Sequence, residues 1–245
     1  MNWVTFVTRS LWGLWAWLSF TLACVFSLIV ALIVPGPHQR QRLVTHASRI
    51  IFVLSGVKVS VRGIDNLPLG SCVVVANHAS YVDGILLKGY LPSRFNFVIK
   101  GEMRNIPVVH FLLHRSGAKF VERKEAIGSS RDARKLVKAA QGGESLGFFP
   151  EGTFILEPGV GRFRPGAFVA ALKGEMPIVP IAISGSRRML PSGKLLPRPS
   201  DLVIDILPAI MPGDASFESS RKLAEASRQQ ILAALDEPDL LTDEG

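Results

Sequence analysis

Cysteine and tyrosine are both scarce in this 245-residue sequence, at two residues each. With only Cys24, inside an apolar run, and Cys72, inside a predicted strand, no disulfide framework is possible beyond a single bridge. The pair reads as two inert buried thiols in a reducing compartment. Acidic residues are also outnumbered, 20 Asp and Glu against 28 Lys and Arg, and the formal charge of +8 calls for an acidic partner. Metal-site signatures are lacking, because His110 and His114 stand four apart on a predicted helix without an HExxH pattern. No nucleic-acid recognition motif accompanies the positive charge, which sets nucleic acid aside. Internal repeats and low-complexity stretches are absent, and the length suits one sizeable core with a short appendage.

Charge disappears altogether between Arg9 and Arg40. The run from Leu11 to Val34 is about 24 residues, long enough as a helix to cross a bilayer core. Trp3, Trp12, Trp15 and Trp17 crowd its start, where amphipathic rings favour the interface, and Arg40, Arg42 and Arg49 follow its end. Residues 1–56 therefore read as a membrane anchor, and the positive-inside bias puts residues 57–245 on the cytoplasmic face. The run is longer than the apolar core of a signal peptide and no small-residue cleavage site follows it. A shorter apolar patch, Ile50 to Val57, lies beyond Pro35, Gly36 and Pro37 and fits an interfacial helix. The anchor either spans the bilayer or enters it and returns.

After residue 57 the pattern alternates. Short β-branched runs predict strands at Val57–Val61, Cys72–Ala76, Phe95–Ile99, Ala118–Val121, Leu146–Phe149, Ile178–Ile183 and Leu202–Leu207. Helical segments are predicted near Val82–Tyr90, Pro107–His114, Ser130–Ala140, Ala167–Leu172 and Phe217–Leu235. The expected architecture is α/β, a mixed central sheet flanked by helices with an N-terminal membrane-anchoring helical segment. Residues 185–200, with Arg187, Arg188, Lys194 and Arg198, read as a basic surface loop.

Chemistry concentrates at strand ends. The second predicted strand runs into Asn77-His78-Ala79-Ser80-Tyr81-Val82-Asp83, and strand ends in α/β sheets are where side chains meet ligands. On a regular helix His78 and Asp83 would point about 140° apart, so they meet only if His78 precedes the helix. Ser80 and Asp83 fit an S-x-x-D cap that would start the helix there. Asp83 could then fix one imidazole nitrogen and leave the other as a base. By itself HxxxxD arises by chance in roughly one chain in a few. Phe149-Pro150-Glu151-Gly152-Thr153, ending another strand, should arise in roughly one chain in ten thousand.

Together with Gly117-Ala118-Lys119-Phe120-Val121-Glu122-Arg123 and Ile178-Val179-Pro180-Ile181, these blocks resemble, in order and spacing, those of the glycerolipid acyltransferases, specifically the 1-acylglycerol-3-phosphate acyltransferases. The resemblance covers about residues 57–210. It implies that His78 is the general base, oriented by Asp83, for transfer of a fatty acyl group from acyl-CoA or acyl carrier protein to the hydroxyl of a lysophospholipid. No further cofactor and no metal is implied. Arg123 matches the family's phosphate-contacting arginine, and Asn77, Glu151, Gly152 and Thr153 match acceptor-binding positions. Lys100, after the third predicted strand, is a further candidate for the acceptor phosphate. One position departs from the pattern: Phe154 stands where the family commonly has Arg, leaving Arg162, Arg164 or a different lysolipid acceptor to account for the change.

A membrane-anchored serine hydrolase is the competing class, since Gly143-Glu144-Ser145-Leu146-Gly147 matches G-x-S-x-G. A nucleophile elbow needs a strand before the serine and a helix after it, and here the order is reversed.

Overall fold

The computed structural model describes residues 3–122 and 126–241. All seven predicted strands form, within two residues of their expected ends: β1 (Val59–Arg62), β2 (Val73–Ala76), β3 (Asn96–Lys100), β4 (Lys119–Val121), β5 (Leu146–Phe148), β6 (Ile178–Ser184) and β7 (Leu202–Ile206). They make one sheet in the order β1-β7-β6-β2-β5-β3-β4. Every neighbouring pair is parallel except β6 and β7, which makes the sheet mixed. Parallel neighbours require crossover segments, and the helices between strands supply them. Pro180 sits inside β6, yet the ladder to β7 begins only at Ile181, so its missing N–H leaves no gap there.

Alternation along β2 builds both sides of the core. Val73 and Val75 face one cluster with Leu136, Phe168, Leu223 and Ile231, whereas Cys72, Val74 and Ala76 face another with Phe52, Leu86 and Leu87. The first cluster is closed by α5 (Ala126–Gln141), α6 (Gly166–Gly174) and α8 (Ser220–Ala234). α2 (Pro37–Leu54) and α3 (Asp83–Tyr90) close the second. α8 is shorter than the sequence predicts because Ser219 caps it, accepting from Lys222 N at 3.2 Å, after a separate turn at Ala215–Glu218.

α1 (Trp3–Ile33) is the long apolar helix, and it lies along the body of the protein. Near its start the indole N–H groups of Trp12, Trp15 and Trp17 donate to the carbonyls of Ser55, Leu54 and Leu195 at 2.9, 2.7 and 2.7 Å. Near its end Ala31 O accepts from Arg115 Nε at 2.9 Å, from the end of α4 (Pro107–Arg115). Small residues, Gly13, Ser19, Ala23 and Ser27, are buried. The opposite side exposes Leu11, Leu14, Leu18, Leu22, Val25, Ile29 and Leu32, a stripe at helical spacing. The patch predicted at Ile50–Val57 belongs to α2, which begins well before it, at Pro37. The basic stretch after β6 is not wholly loop: α7 (Ser186–Met189) opens it, and Arg187 is half-buried and paired with Glu237 rather than solvated.

Candidate active site

β2, β3, β5 and β6 are adjacent and parallel, so the segments that leave their C-terminal ends converge on one edge of the sheet. β2 delivers His78 and β5 delivers Glu151, Gly152 and Thr153. β3 ends on Lys100, and the turn after β6 leads to Arg187.

His78 precedes α3, and its Nδ1 lies 3.0 Å from Asp83 Oδ2. That oxygen also accepts from the backbone N–H of Ala79 at 2.7 Å and of Ser80 at 2.8 Å. Asp83 is fully buried. An oxygen on which two N–H donors already converge is an acceptor toward the imidazole, so Nδ1 carries the proton. Among the described residues Nε2 makes no hydrogen bond, which leaves it available as a base. The expected Ser80 cap forms only in part: Asp83 accepts from Ser80 N–H as an S-x-x-D box requires, but Ser80 Oγ accepts from Val82 N–H at 3.3 Å rather than from Asp83 N–H. Val82 occupies the N-cap, Asp83 opens the helix, and Ser80 Oγ donates to Leu190 O at 2.6 Å. Asp83 reaches back to the turn instead of sitting in the third helical position, which brings it within reach of His78.

Rings surround the imidazole. Phe149 stacks on it with centroids 4.3 Å apart, and Phe154 meets it edge-on. Phe154 also packs against Tyr81, which lines an apolar cavity of about 150 Å³ between α1, α2 and the start of α3.

Glu151 is tied on both oxygens: Oε1 accepts from His78 N at 2.8 Å and Oε2 from Gly161 N at 3.0 Å. Burial pushes its carboxyl above the usual range, partly offset by those two N–H donors. Gly152 has φ of 80°, a left-handed turn that favours glycine. Thr153 Oγ1 lies 3.4 Å from Lys100 Nζ, so the structure brings these two together at the exposed rim. Asn77 does not face this space. Its amide bridges Ile183, donating to the carbonyl at 3.0 Å and accepting from the N–H at 2.7 Å, which fixes the end of β2 to β6. Arg123 lies outside the described residues. Arg162 and Arg164 are exposed on the loop after Glu151.

A family model described as Acyltransferase matches residues 58–184, which contain His78, Asp83, Lys100, Glu151, Gly152 and Thr153. The chain belongs to that family. A chloroplast 1-acyl-sn-glycerol-3-phosphate acyltransferase of Brassica napus is 31% identical over 56% of this chain and 40% of its own length. A 1-acyl-sn-glycerol-3-phosphate acyltransferase of Chlamydomonas reinhardtii is 29% identical over 90% of this chain and 67% of its own. The chain thus spans between two fifths and two thirds of these relatives. The fold matches the crystal structure of the 1-acyl-sn-glycerophosphate acyltransferase of Thermotoga maritima, with a TM-score of 0.78 over 93% of this chain and 95% of that one, at 22% identity.

In this family member several site-shaping residues have no clear sequence signal. Arg187 donates to Glu237 and to the carbonyls of Ile155 and Glu157, clamping the loop beyond Thr153. Its place directly after β6, at the same sheet edge as His78, is the one hint the sequence holds. Ser145 is buried before β5, its Oγ accepting from Cys72 N, and no helix follows it as a nucleophile elbow requires. His110 packs its ring against Phe120, and among the described residues no cluster of three metal-ligating side chains occurs.

Proposed function

We propose that this protein transfers a fatty acyl group from a thioester, acyl-CoA or acyl carrier protein, to the free hydroxyl of a 1-acylglycerol-3-phosphate, giving phosphatidic acid. The observation that carries the reading is His78, held by Asp83 through Nδ1 with Nε2 unbonded. Nε2 takes the proton of the lipid hydroxyl as its oxygen attacks the thioester carbonyl carbon. The C–S bond then breaks, and the departing thiolate takes the proton from the imidazolium. The acceptor oxygen is the nucleophile, so no acyl-enzyme forms. The apolar cavity beside Tyr81 offers part of an acyl chain an apolar surface, linked to the imidazole through Tyr81 and Phe154. Exposed Arg162 and Arg164, with the half-buried Lys100, supply cations for the acceptor phosphate.

A different lysolipid acceptor is the second reading, favoured by Phe154, whose ring occupies a place beside His78 where a cation would serve a phosphate. A panel of lysolipids with one labelled acyl thioester decides between them. Product from lysophosphatidic acid, and at least about a hundredfold loss in His78→Ala, is expected. Near-normal turnover by that variant would overturn the mechanism.

We also place the enzyme on the cytoplasmic leaflet. α1 touches the body of the protein at Trp12 and again at Ala31, about 28 Å apart along its axis. A helix lying alongside the domain presents its apolar stripe to one leaflet instead of crossing the bilayer. Arg40, Arg42 and Arg49, which follow the apolar run, favour the anionic cytoplasmic leaflet.

A further inference from the structure

A continuous chain of hydrogen bonds links the C-terminal segment to the turn that carries His78. Arg228, in α8, is 2% exposed. Its Nε donates to Gly161 O and its Nη2 to Val160 O, both at 2.9 Å, while Nη1 and Nη2 grip the two carboxylate oxygens of Asp239. Such a fork fixes orientation as well as distance. The segment around Asp239 lies against the same loop: Val160 N donates to Pro238 O at 3.0 Å and Leu240 N to Val160 O at 3.3 Å. Gly159 permits the approach, because a Cβ there would stand 2.5 Å from Leu240 Cγ. The loop then passes the constraint inward. Gly161 N donates to Glu151 Oε2, and Glu151 Oε1 accepts from His78 N.

We propose that Arg228 and Asp239 are positioning residues for the active site, acting through Gly161 and Glu151 to fix the backbone of His78 and the loop facing the acceptor. The inference rests on reading His78 as the base. Loop residues Ile155, Leu156 and Glu157 are exposed and bury little of their own, so the loop depends on what clamps it. A catalytic imidazole displaced by a fraction of an ångström loses rate without losing the fold.

The test uses the full chain in vesicles, with Arg228→Met, Arg228→Lys and Asp239→Asn compared with wild type. Amide hydrogen exchange over residues 77–82, kcat, the KM for thioester and the thermal midpoint are read for each. In Arg228→Met the His78 amide should exchange about tenfold faster. Its kcat should fall about tenfold to a hundredfold with the thioester KM within about twofold. Arg228→Lys, which can hold Asp239 but not both carbonyls, should recover part of each. If Arg228→Met fails to fold, Asp239→Asn keeps the carbonyl contacts and should show the same changes in smaller measure. A folded variant with a lowered midpoint but unchanged His78 exchange and unchanged kcat would overturn the proposal. Exchange is independent of turnover, so a wild type inactive on every lysolipid would sink the functional reading while the relay was still judged.

Discussion

Phe154 meets the His78 ring edge-on, with centroids 4.5 Å apart and planes at 61°. Phe149 stacks on the imidazole and Tyr81 backs Phe154, so the imidazole lies against an apolar wall. Such a wall keeps water from competing with the lipid hydroxyl for the thioester. Phe154→Ala should therefore raise the share of acyl groups released as free fatty acid, by about an order of magnitude relative to transfer. Radiolabelled thioester, with fatty acid and acylated lipid separated, measures the ratio. An unchanged ratio would show that Phe154 does not shield the reaction.

The fold was legible because the strands are short and bounded, and the central ones, β2, β5 and β6, bury almost completely while β7 buries alternate residues. The geometry of the candidate site was legible where it depends on neighbours in sequence, as with the contact between His78 and Asp83 or the turn at Gly152. Long-range partnerships were not. Nothing in the sequence near Asn77 reveals that its amide bonds Ile183, 106 residues away. Nothing near Arg187 reveals Glu237, 50 residues on. Ser80 and Asp83 mislead only in part: the carboxylate reaches back to Ser80 N–H as in an S-x-x-D cap, but Ser80 Oγ goes to Leu190 O and Val82 N–H and the helix itself opens at Asp83.

Asp83 supports two structures at once, the imidazole and the turn before α3. Asp83→Asn replaces an acceptor with a group that can present N–H toward the Ala79 and Ser80 N–H donors, and it no longer holds the His78 proton on Nδ1. Turnover should drop about 10³-fold or more, in line with loss of the orienting carboxylate in other histidine bases. The midpoint of unfolding should fall too, since a buried donor loses its partner at about 1–3 kcal/mol. Loss of stability without loss of rate would confine Asp83 to a structural part.

Glu151 carries a pH signature. Burial raises its carboxyl pKa in the folded protein, so between the ordinary glutamate value and the raised one the native state keeps a proton that the unfolded chain has lost. The stability this adds is fully present below the ordinary value and is lost as pH rises through the raised one. Glu151→Gln cannot titrate and turns an N–H toward a backbone donor, so it should be less stable at every pH. The gap to wild type should narrow from about pH 4 upward as the native carboxyl ionises. Thermal melts across pH 4–7 check this, and a gap of constant size would remove burial as the cause.

The placement of α1 makes a sidedness prediction. A helix that crosses the bilayer puts its two ends in different compartments, whereas one lying along the protein keeps both on the same side. Trp3 and Pro35 flank α1 and are both exposed. Cys72 will not compete for a thiol reagent, being fully buried with its thiol pushed up to about 11 chiefly by that burial. With Cys24→Ala as background, Trp3→Cys and Pro35→Cys should both react with a membrane-impermeant maleimide in vesicles whose outer face carries the catalytic domain. Equal labelling is expected because the bonds from Trp12 to Ser55 and from Arg115 to Ala31 hold both halves of the helix to one body. If only one of the two positions reacted until detergent opened the vesicles, α1 would have to leave that body and span the membrane, and the contacts that line the apolar cavity beside Tyr81 would go with it.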